Sequence, residues 1–100
     1  MENKAAELPG EDLVEQGLKD LASGQITEQA LLVLIASPRL EKLGIAIPDV
    51  SVAEPYEHRL YELLSQRLGN AAHSQYNSLI RRIVSFARAL SRERSHTKVE

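Results

Sequence analysis

The chain has 100 residues, 43% of them apolar and 26% charged, with no cysteine and a formal net charge of −2. That length provides for one core of ordinary domain size, and the apolar content is too high for a chain disordered throughout. The missing cysteines exclude disulfides, thiolate metal sites, iron–sulfur clusters and a cysteine nucleophile.

Fifteen of the apolar residues are leucine, whereas Phe and Tyr together number four and Trp is absent. Packed helices use such interiors, while sheets favour β-branched and aromatic side chains. The longest apolar run, residues 30–36, is far short of the ~20 residues a transmembrane helix needs, so no membrane partner is expected. Residues 1–7 show neither a basic leader nor an apolar stretch behind it, and a cytoplasmic location is the expectation.

In chain order, residues 1–8 carry no amphipathic pattern and read as a flexible arm ahead of Pro9-Gly10. Glu11, Asp12 and Glu15 then suit the positive end of a helix dipole, and Leu13, Val14, Leu18 and Leu21 recur at helical spacing up to a stop at Gly24. This predicts a first helix over residues 11–23, with Gly17 on its apolar stripe as the mark of a close helix crossing or of a simple propensity cost. Thr27 is placed to cap a second helix with Glu28 in its first turn. The run 30–36 has no polar face, so that helix must be surrounded by protein and should form the centre of the core.

Pro38 is expected to end the second helix, because a proline drives the preceding residue out of the α region, and residues 39–43 would then form a short third helix closed by Gly44. Ile45, Ile47, Val50 and Val52 alternate around Pro48-Asp49, the pattern of an extended connector that tucks apolar side chains onto the core. Pro55 opens a fourth helix with Tyr56, Leu60, Leu63, Leu64 and Leu68 on one face and Gly69 as its stop. A fifth runs from Ala71 or Ser74 to about Arg92, N-capped by Asn70 or Ser74. Residues 93–100 complete the chain as a flexible polar tail. The expected fold is all-α: one domain over residues 9–92, an irregular four- to five-helix bundle of two helical hairpins joined by a short helix and an extended connector.

The charge is unevenly spread. Residues 1–50 hold nine acids and four bases, residues 51–100 five acids and eight bases, and seven of those eight are arginine. On a helical wheel turning about 100° per residue, Ser74, Asn77, Ser78, Arg81, Ser85, Arg88 and Arg92 share one face of the last helix, and Arg82, about 100° away, flanks them as a further candidate partner- or anion-binding residue. Arginine grips carboxylate and phosphate through a planar fork that lysine lacks, so this face reads as an anion-binding surface. The plainer reading is a solvated face that suits the C-terminal dipole and pairs with the acidic first half.

Three other patterns bear on chemistry. The span 60–83 reads helix, glycine turn, helix, as in a helix-turn-helix, but the position expected to be buried falls on Gln75 rather than on an apolar residue. Glu54, His58 and Glu62 lie at i, i+4 and i+8 on one face, a spacing compatible with metal ligation, although the last helix offers no facing set and a structural role is the simpler reading. Residues 73–77 gather hydrogen-bonding side chains next to a helix start. No Gly-rich phosphate loop, nucleophile elbow or paired-histidine motif is present, and no cofactor or metal is implied. The expectation is a non-enzymatic interaction module that binds a protein partner or itself through the Arg/Ser face of the last helix, with nucleic-acid binding by the same face as the alternative.

Overall fold

In the computed structural model residues 8–50 and 55–99 are described, the side chains of 94–99 excepted. The chain is helical, as its composition predicts: α1 (Glu11–Ala22), α2 (Glu28–Lys42), α3 (Tyr56–Leu68), a single 3₁₀ turn (Gly69–Ala71) and α4 (Ala72–Val99). Among the described residues there is no strand.

The start of α2 follows from its cap. Thr27 is extended, and its Oγ1 accepts a hydrogen bond from the Ala30 amide at 3.1 Å, satisfying one of the orphan N–H groups of the first turn. The same hydroxyl donates to Asp20 Oδ2 at 2.6 Å, and the Asp20 main-chain carbonyl accepts from the Gln25 amide at 2.8 Å. Asp20 therefore pins the turn between α1 and α2 from both its side chain and its backbone.

From this cap α2 passes through the middle of the molecule. Ala30, Leu31, Leu32 and Val33 are completely buried, as expected of a segment with no polar face. Helices α1, α3 and α4 all pack against it. On the α1 side the approach is close enough that a Cβ at Gly17 would lie 2.5 Å from the Gln29 carbonyl oxygen and 2.5 Å from Val33 Cγ2. Of the two meanings open for Gly17, the close crossing is the correct one.

Three local expectations are corrected. Pro38 does not end the second helix, and residues 39–43 are not a separate helix: α2 runs through Pro38 to Lys42. Proline removes the N–H that would bond to the Leu34 carbonyl and crowds that carbonyl, a cost of about 3 kcal/mol in a helix interior. Continuing the helical register, however, carries Leu40 into full burial, and a buried leucine returns about 1.5–3 kcal/mol. Pro38 itself points outward and is exposed, so its ring does not compete with core packing. Secondly, Asn70 lies in the 3₁₀ turn and Ser74 inside α4; the chain passes from turn to helix without either side chain as an N-cap, and the Ala72 amide bonds to the Gly69 carbonyl. Thirdly, residues 93–99 continue α4 instead of forming an irregular tail. Residues 91–99 contain neither Gly nor Pro, and polarity alone does not stop a helix.

The connector behaves as the alternation predicts over residues 45–50, where Ile45, Ile47 and Val50 rest half-buried against the core. Val52 and Glu54 lie outside the described residues. Leu8, assigned by sequence to the arm, also packs on the core. Its amide donates to Glu11 Oε1 at 2.8 Å. Gly10 next to it has φ +77°, and a Cβ there would come within 2.7 Å of the Arg82 carbonyl oxygen, so this turn lies directly on α4. With 28 residues α4 is about 42 Å long and accounts for most of the 47 Å long axis of the molecule.

Candidate interaction surface

One side of α4 is built for burial. Leu79, Ile83, Phe86 and Ala87 are buried and Tyr76 and Leu90 half-buried, which matches the apolar face read from the periodicity. The opposite side follows necessarily: Ser74, Arg81, Ser85, Arg88 and Arg92 are exposed, and Asn77 and Ser78 are half-buried at its flank. Among the described residues no carboxylate lies within ion-pair distance of Arg81, Arg88 or Arg92. Asn77 Nδ2 sits 3.3 Å from His73 Nε2, one turn earlier on the same helix.

Val84 belongs to this surface too. It is 37% exposed and, with Tyr61, is one of two large apolar side chains left exposed among the described residues. Its helical position falls about 60° from Arg81 and about 40° from Arg88, which sets it at the edge of the arginine stripe.

Arg82 is placed differently from its neighbours. It stands on the α1 side of the helix, with Nη2 3.8 Å from Asp12 Oδ1. Here the expectation that the basic last helix pairs with the acidic first half applies, though the pair is long and the Asp12 side chain is 80% exposed. The strongest ion pair in the described chain involves an arginine outside the predicted site. Arg67 donates through Nε and Nη2 to the two Glu28 oxygens, both at 2.8 Å, and so ties the end of α3 to the start of α2. Those hydrogen bonds, and then the Glu28 charge, raise the Arg67 guanidinium further above its ordinary pKa. The two residues are 39 positions apart, and no local pattern announces such a contact.

The aromatic residues form a second feature between α3 and α4. Tyr61 lies in the groove between the two helices, with ring centroids 5.7 Å from Tyr76 and 6.4 Å from His73, both tilted. Burial, followed by the Glu57 carboxylate, pushes the Tyr76 hydroxyl above its usual pKa. Of the stripe weighed for metal binding, His58 Nε2 and Glu62 Oε2 are 3.5 Å apart and well exposed, and Glu54 lies outside the described residues. No group of three potential metal ligands occurs among the described residues. Among the described residues no helix is long and apolar enough to cross a membrane. Gln75, the polar residue that spoiled the helix-turn-helix register, is half-buried. No protein-family model, characterised protein or solved structure matches the chain.

Proposed function

We propose that the protein is a small non-enzymatic interaction module whose recognition surface is the Arg/Ser face of α4, and that its partner is a protein with an acidic surface or a second copy of the chain. The observation that carries this reading is the contrast among the arginines. Arg67 is clamped on Glu28 at 2.8 Å and Arg82 only leans toward Asp12 at 3.8 Å, whereas Arg81, Arg88 and Arg92 share one exposed face with no acid in reach among the described residues. Arginine is enriched at protein interfaces because its guanidinium combines a planar hydrogen-bonding fork with a weakly hydrated surface.

Val84 supports a protein partner over a nucleic acid. An exposed apolar side chain beside arginines supplies the dry contact that protein interfaces place next to their charged groups. The acidic first half gives the self-association version its complementary surface. Nucleic-acid binding by the same face is the second reading, supported by the glycine turn ahead of α4 and by Ser74, Asn77, Ser78 and Arg81 along one side.

Sedimentation together with fluorescence titration separates these outcomes. The reading predicts no steeply salt-dependent binding of DNA or RNA duplexes or single strands. For the self-association version it also predicts a mass above 11.1 kDa that falls to monomer in the Arg81/Arg88/Arg92→Ala variant. Tight nucleic-acid binding that weakens sharply between 50 and 200 mM salt, of order 10³-fold or more for six phosphate contacts, would replace it by the second reading.

A further inference from the structure

Where the four helices meet, the structure holds a cavity of about 180 Å³. Its floor is apolar: Leu13 from α1, Leu32 from α2 and Leu79 from α4, all buried. Gln29, Gln75 and Arg82 line the cavity as well, together with the Arg67–Glu28 pair. Five of the eight lining residues are polar or charged, and convergent polar groups of this kind fix the orientation of a small ligand.

The charges and hydrogen-bonding groups narrow the ligand. Glu28 is neutralised by the two-point contact with Arg67, both bonds being 2.8 Å. Arg82 is engaged only at 3.8 Å, by an Asp12 side chain that is 80% exposed, so its fork is available to a better placed anion. The lining therefore carries one positive charge in excess. Gln29 and Gln75 are half-buried, and neither carboxamide has a hydrogen-bond partner among the described residues. Position 75 lies at the flank of the apolar face of α4, one turn before Leu79, and both residues line the cavity. Gln75, Leu79 and Arg82 follow each other at i, i+4 and i+7 along one stripe of α4, which presents amide, leucine and guanidinium to the same space.

We propose that this cavity binds a small monocarboxylate with a short apolar chain. The carboxylate is held by the Arg82 guanidinium and the Gln75 and Gln29 carboxamides, and the chain lies on the leucine floor. A cavity of about 180 Å³ suits a small acid rather than a long-chain fatty acid. Because Arg82 stands off the exposed stripe of Arg81, Arg88 and Arg92, this site is independent of the interaction surface.

Amide chemical shifts of the full chain, titrated with butyrate, n-butylamine and inorganic phosphate, test the proposal. Butyrate is expected to move the Gln29, Gln75 and Leu79 amides saturably, with butylamine and phosphate leaving them in place. Arg82→Gln should weaken butyrate binding by about tenfold or more, as loss of a charge-assisted hydrogen bond does, whereas Arg88→Gln should bind as the unaltered chain does. Gln75→Leu, which keeps the stripe packed, provides a second variant expected to weaken binding. No saturable shift with butyrate in the unaltered chain would overturn the proposal, as would equal binding by Arg82→Gln. Phosphate binding as tight as butyrate at the same amides would overturn the apolar-carboxylate assignment.

Discussion

Gly17 shows how much a single hydrogen decides at the α1–α2 crossing. An alanine there would gain about 1 kcal/mol of helix propensity in α1. Its methyl group, however, would sit 2.5 Å from both a backbone oxygen and a fully buried valine, in a part of the core that has little room to yield. Overpacking of this kind costs about 1–3 kcal/mol, and a backbone neighbour puts the site toward the upper end. Gly17→Ala is therefore expected to lower stability by about 1–2 kcal/mol in urea unfolding, despite the better helix former. An unchanged or raised midpoint would mean that the helices can part freely at this point. The arginines teach a related lesson at the same scale. Seven residues of one type in the second half look equivalent in composition, yet Arg67 is clamped on Glu28, Arg82 leans on Asp12, and Arg81, Arg88 and Arg92 face outward together. Helical spacing predicts the last grouping, but Arg82, a candidate for the same surface by sequence, turns toward α1 instead. The Arg67 pairing joins distant helices, so it is set by tertiary packing that periodicity does not encode.

At the scale of the element, the sequence signals that proved sound were those with a mechanism specific to one place. Thr27 is readable as a cap because a hydroxyl there meets an orphan amide, and residues 30–36 as a core segment because no side of them is polar, although Ile35 and Ala36 at its end are only half-buried. The Pro38 signal failed for a reason that is also physical. A proline is a local penalty of about 3 kcal/mol, and the reward for continuing the helix, the burial of Leu40 two residues later, comes from contacts made elsewhere in the fold. Helix α2 thus carries a defect that tertiary packing offsets. Pro38→Ala restores the missing amide opposite the Leu34 carbonyl and is expected to stabilise the protein by about 1–2 kcal/mol, part of the gain being offset by the more flexible unfolded chain. Thermal unfolding would register this as a higher midpoint, and a lower one would show that Pro38 serves the packing of α2. The polar end of α4 stays helical because stopping a helix requires a residue that breaks or caps it, and polar composition alone does neither.

On the scale of the whole molecule, an amphipathic fourth helix is shared between two tasks. Its apolar side completes a core centred on α2, and its outward side carries an arginine stripe edged by an exposed valine. The acidic and basic halves of the chain are joined within the fold only at its margins, through Arg82–Asp12 and Arg67–Glu28, which leaves the stripe itself without a partner among the described residues. The all-helical class and the two faces of α4 were legible because both depend on periodicity and composition. The cavity among the four helices was not, since its lining comes from residues 13 to 82 and only tertiary packing brings them together. The central claim, that the α4 stripe recognises a protein, is met most directly by parallel affinity capture from cell extract with and without nuclease treatment. The immobilised chain and its Arg81/Arg88/Arg92→Ala variant would be used side by side, with a differently tagged second copy added. The account predicts a protein, or the second copy, retained by the first and lost from the variant. Equal retention on both, or recovery that disappears with nuclease treatment, would contradict it.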